Sequence, residues 1–130
     1  MDERSVELVR EIYERFRAGD LEGALALHDP DVEVHDRPEI PDPQVFHGHE
    51  GVVSALGVSQ AEFERMDLVP EEYIGVGDRV VVVVRFVGQG RESGVPIDER
   101  LCHVWTVREG KAVRMEVHSG REEGLRAAGG

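Results

Sequence analysis

The chain has 130 residues, 27 acidic and 15 basic, a net charge of −12, and 40% hydrophobic against 32% charged side chains. That length suits one globular domain with a real core, over residues 1–130, and the balance is that of a folded chain. The negative charge argues against nucleic acid and anionic membrane surfaces as partners, since both are held by basic patches.

In chain order, residues 5–18 read as a first helix, with Val6, Val9, Tyr13 and Phe16 on one stripe and Leu8 and Ile12 beside it. Gly19 suits its C-terminal cap, and Asp20 the N-cap of a second helix. Leu21, Ala24, Leu25 and His28 then recur at helical spacing, and Asp29-Pro30 stops the run because proline lacks an N–H. The alternation that follows puts Val32, Val34 and Asp36 on one face of a strand, with Glu33 and His35 on the other. If the valines face the core, Asp36 goes inward with them.

Residues 37–47 hold three prolines and read as a rigid loop. A third helix is expected from His49 or Glu50, carrying Val52, Val53, Leu56 and Phe63, with Gly57 either a break or a close contact. The period then changes to two. Strands are expected over 67–75, 79–87, 97–108 and 111–119, joined by turns at Gly77-Asp78, residues 88–94 and Glu109-Gly110, with a short helical tail over 121–127. Three helices with one early strand, followed by a four-strand meander, make an α+β fold.

Cys102 is the only cysteine, so no intrachain disulfide forms and a reducing compartment is expected. The start of the chain is acidic and lacks an apolar run of signal-peptide length, while the longest apolar run, Val80–Val84, is far short of a membrane span. A cytoplasmic location is the expectation. There is no P-loop, GxSxG elbow or dinucleotide fingerprint. His47-Gly-His49 lacks a third ligand in the right context, so neither a metal nor a cofactor is expected.

Four stretches, AGDLEGALALHDPDVEVHD (18–36), FHGHEGV (46–52), GDRVVVVVRFVGQGRESG (77–94) and HVWTVREGKAVRMEV (103–117), resemble the SnoaL-like, ketosteroid-isomerase-related group of NTF2-like proteins. The resemblance implies a cone-shaped fold, with three N-terminal helices packed on a curved, mainly antiparallel sheet. It also implies a pocket for a small apolar or carbonyl-containing molecule, and a homodimer formed through the outer face of the sheet. Carried over by position, Asp36 falls where the isomerases place their catalytic base. Their oxyanion tyrosine position reads Ile12, with Tyr13 one residue off and about 100° around the helix. The position of their protonated aspartate reads His103.

Two candidates for chemistry follow. A carboxylate at 36 in an apolar pocket would lose hydration and become a better base; in an exposed position it would only turn the chain before Arg37-Pro38. His103 shares strand parity with Leu101, Trp105 and Val107, so it is either a hydrogen-bonded core residue or a donor in the pocket. Tyr13, Trp105 and Met115 either line the same space or belong to the core. His35 has the opposite parity from Asp36 and is the weaker pocket candidate, and His118 is expected on the outer surface. The leading expectation is cofactor-independent proton transfer next to a carbonyl, as in an isomerase or an aldol-type cyclase. The alternatives are a binding module without chemistry, or epoxide hydrolysis using Arg85 or Arg100.

Overall fold

The computed structural model describes residues 3–129, with side chains outside 56–65. The elements run α1 (Glu3–Arg17), α2 (Leu21–Leu25), β1 (His28–His35), β2 (Val45–His47), α3 (Gly48–Glu62), β3 (Phe63–Val76), β4 (Arg79–Gly90), β5 (Pro96–Arg108), β6 (Lys111–His118) and α4 (Arg121–Ala127). The strands form one curved, unclosed sheet in the order β2-β1-β6-β5-β4-β3. The β1–β6 pair is parallel and the others are antiparallel, so the sheet is mixed.

Two layers cover the sheet, and they explain the five-valine run. Val80, Val82 and Val84 pack against Val9, Ile12 and Tyr13 of α1 on the inner face. Val81, with Cys102 and Val104, packs against Leu125, Ala127 and Ala128 at α4 on the outer face. A strand covered on both sides loses the polar half of its alternation. The expected three helices on one face are therefore corrected: α1 to α3 precede the meander, and α4 closes part of the opposite face. Gly124 makes that approach possible. A Cβ there would collide with Cys102 Sγ and lie 3.0 Å from its Cβ.

The caps follow the sequence. Gly19 has φ +82°, and the Asp20 carboxylate accepts from Gly23 N at 2.9 Å. The second helix is shorter than expected, ending at Leu25, and His28 opens β1 opposite Ala112. The β1–β6 register then shifts between His28 and Glu33. Pro30, which has no N–H for a ladder, falls in that irregularity. The expected loop 37–47 holds an extra edge strand, β2, with Phe46 opposite Val34. The third helix runs unbroken through Gly57, and the strand after it starts at Phe63, a residue that helical periodicity places on the helix.

Candidate functional site

The inner face of β5 carries His103 and Trp105 in successive inward positions. Val82 and Val117 lie opposite the first, Val80 and Met115 opposite the second. From α1, Tyr13 comes down onto both. Trp105 Nε1 donates to Tyr13 Oη at 3.0 Å, and Tyr13 Oη lies 2.6 Å from His103 Nδ1. Tyr13, His103 and Trp105 are only 4–5% exposed. Since indole N–H can only donate, the phenol hydrogen is left for His103 Nδ1. That direction fixes the proton of a neutral His103 on Nε2, which makes no hydrogen bond among the described residues.

Burial favours the uncharged form of each group. It pushes His103 down to about 4, with His118 adding a smaller effect, and it holds the Tyr13 phenol well above its usual value. The aromatic packing is dense. The Tyr13 ring meets Trp105 edge-on at 5.8 Å and stacks on His103 at 6.0 Å, and His28 lies 5.7 Å from Trp105. His28 is itself buried, and Ala24 O lies 2.8 Å from its Nδ1, where only an N–H can make the bond. Burial lowers its pKa as well. This buried line of rings ends in one N–H donor, His103 Nε2.

Of the residues singled out in the sequence, Tyr13, Trp105, His103 and Met115 meet here. Tyr13 reaches His103 although Ile12 occupies the aligned position, because both neighbours on α1 are buried. Asp36 and His35 lie elsewhere. Strand pairing stops at His35, so the alternation that would carry Asp36 inward ends one residue short of it. Asp36 instead closes the proline loop: Asp36 N donates to Gln44 O at 3.1 Å, and Gln44 N donates to Asp36 Oδ2 at 2.9 Å.

That loop walls a separate hollow of about 260 Å³, lined by Asp36, Pro38, Pro43, Gln44 and Val45 and by His35, Arg114, Glu116 and His118 of the sheet. His35 Nε2 donates to Glu33 Oε1 at 2.8 Å, and His118 Nε2 donates to Glu116 Oε1 at 3.0 Å. The signal for this pairing stood in the sequence unread. The tripeptide Glu-Val-His occurs at 33–35 and again at 116–118, on strands that pair in parallel with His35 beside Glu116.

Arg85 and Arg100 pair with Asp98 and Glu71 on the outer side of the sheet, so neither arginine considered for epoxide hydrolysis stands on the inner face. His49 Nε2 donates to His28 O rather than sharing a ligand with His47, and among the described residues no group of three or more His, Cys, Asp or Glu is placed to hold a metal ion. No described helix is long and apolar enough to cross a membrane.

The sequence matches the SnoaL-like domain over residues 9–115. The chain belongs to the SnoaL-like family. Among solved structures it is similar to an NTF2-like protein of unknown function from Burkholderia pseudomallei K96243, at 31% identity, with 97% of each chain covered and a TM-score of 0.78. It is also similar to TerC, co-crystallised with polyporic acid, at 29% identity, 98% and 99% coverage and a TM-score of 0.79. A candidate SnoaL-like polyketide cyclase from Jannaschia sp. CCS1 shares the fold at 21% identity, 88% and 83% coverage and a TM-score of 0.76. No curated protein sequence matches. Within this SnoaL-like chain, the Tyr13–His103–Trp105 cluster and the Asp36 hollow are neighbours, since Val117, opposite His103 on β6, also lines the hollow.

Proposed function

We propose that this SnoaL-like protein binds a small, largely apolar molecule between its helices and the inner face of the sheet, and that His103 reads a carbonyl oxygen of that molecule. One observation carries the reading: a buried imidazole fixed by Tyr13 O–H, with its remaining N–H donor unmatched among the described residues. Unlike Arg15 Nε, Arg79 Nε and Thr106 Oγ1, which are enclosed without a partner among the described residues, His103 Nε2 is not sealed off, so its N–H can meet a ligand atom. Donation from Trp105 to Tyr13, and from Tyr13 to His103, polarises the chain toward Nε2 and strengthens that last donor. The TerC crystals with polyporic acid support an organic small molecule as the ligand class.

Proton transfer next to the carbonyl is the second reading. A neutral donor aimed at a carbonyl oxygen is the group that stabilises an enolate as it forms, and this favours an isomerase or aldol-type cyclase. Asp36 as its base has less support, because that carboxylate is bonded to Gln44 in the other hollow. A second copy pairing through the sheet would use the outer face beside α4, where Arg85 and Arg100 stand.

The test uses 1-tetralone and its hydrocarbon counterpart, tetralin, with the emission of the single tryptophan, Trp105, as reporter. The wild type should bind the ketone at least tenfold more tightly, and His103→Leu should remove the preference. Equal binding of the two by the wild type overturns the proposal. Deuterium exchange at the carbon next to the carbonyl separates the readings. Exchange lost in His103→Leu supports catalysis, exchange lost in Asp36→Asn restores the aspartate as base, and no exchange leaves a binder.

A further inference from the structure

Asp36 and His35, both singled out in the sequence, have no part in the buried cluster, and the hollow they line has its own chemistry. We propose that it is a second binding site, for a small organic cation: a primary ammonium with a short aliphatic tail. Each imidazole in it donates its Nε2–H to a carboxylate, His35 to Glu33 at 2.8 Å and His118 to Glu116 at 3.0 Å. Neither Nδ1 has a partner among the described residues, so a ring in its neutral form, with Nε2–H given to the carboxylate, presents an acceptor there. Asp36 adds a third, because Gln44 N engages only Oδ2 and Oδ1 has no partner among the described residues.

The one cation lining the hollow among the described residues, Arg114, forms an ion pair with Glu116, Nε standing 3.1 Å from Oε2. What remains is a concave space of about 260 Å³ with three acceptors, a negative charge and aliphatic walls from Pro38, Pro43 and Val45. An ammonium brings three donors and one positive charge, and a short tail covers the prolines. The net charge of −12 draws cations toward the chain in general, while the fixed acceptors set the geometry here.

The experiment titrates n-butylammonium, and n-butanol as its neutral isostere, into the full chain at pH 8, following the imidazole nitrogens by NMR. Butylammonium should shift the Nδ1 resonances of His35 and His118 and bind at least tenfold more tightly than butanol. Asp36→Asn and His118→Phe should each weaken it at least threefold, and His103→Leu should leave it unchanged. Two variants are used because Asp36 also closes the loop, whereas His118 does not.

Equal binding of amine and alcohol, or unmoved His35 and His118 signals, overturns the proposal. So does zinc binding that shifts the same nitrogens while butylammonium does not, which would make this a metal site. Trp105 emission should stay constant throughout, so this site can fail or stand independently of the inner one.

Discussion

Replacing Tyr13 with phenylalanine removes one oxygen that two other buried groups depend on. Trp105 Nε1 loses its acceptor at 3.0 Å and His103 Nδ1 loses its donor at 2.6 Å, and both side chains are 4–5% exposed, so water cannot easily take over. Each hydrogen bond is worth about 0.5–1.5 kcal/mol net, and a stranded buried donor costs about 1–3 kcal/mol more. Against this, phenylalanine avoids the cost of burying a hydroxyl, about 1–3 kcal/mol on protein scales. The expected net loss is about 2–3 kcal/mol. Urea unfolding followed by Trp105 fluorescence should show the midpoint fall by roughly 1–2 M with an unchanged slope. His103→Leu should cost less in the Tyr13→Phe background than in the wild type, by about 1 kcal/mol or more, because the two residues share one interaction. A loss below about 0.5 kcal/mol, or additive effects, would refute the hydrogen-bonded chain.

Acid should destabilise the fold through His103. Its folded pKa, about 4, lies below the ordinary imidazole value of roughly 6.5, so the unfolded chain takes up the proton first. The stabilisation is therefore complete above about pH 6.5 and is lost as pH falls toward 4. Between pH 8 and 5 it should amount to about 2 kcal/mol, measured as the difference in urea stability between wild type and His103→Leu; a difference constant with pH would contradict the burial argument. At α4, Gly124→Ala should cost about 1–3 kcal/mol by overpacking, and Cys102→Ala should recover part of that loss. The Cys102 thiol, pushed up to about 11 by burial, should resist alkylation in the wild type and react faster once Gly124→Ala lifts the helix. Unchanged reactivity would show that α4 does not depend on that contact.

Much of the fold could be read from periodicity and caps, because those signals are local. Asp20 and Gly19 act where they stand, and the change from helical to alternating period marks the passage from α3 into the meander. What failed was set by pairing between distant segments. The loop 37–47 conceals β2 because three residues carry no period and are strands only through Val34 and its neighbours. His28 looked like the last turn of a helix because the Pro30 irregularity that begins β1 is decided by Ala112 on β6. The site was legible by residue and not by grouping. Parity brought His103 and Trp105 inward correctly, and it misdirected Asp36 because alternation holds only while the strand is paired. That two Glu-Val-His tripeptides would face one hollow follows from the parallel β1–β6 register, which no local pattern contains.

The central claim is that His103 sits neutral, with Nδ1 accepting from Tyr13 and Nε2–H ready for a ligand oxygen. The nitrogen chemical shifts of that one imidazole measure this directly. They should show the Nε2–H form at pH 7, no titration above pH 5, and a movement of the Nε2 proton when 1-tetralone is added. An Nδ1–H form, titration near pH 6.5, or an Nε2 signal indifferent to the ketone would contradict it.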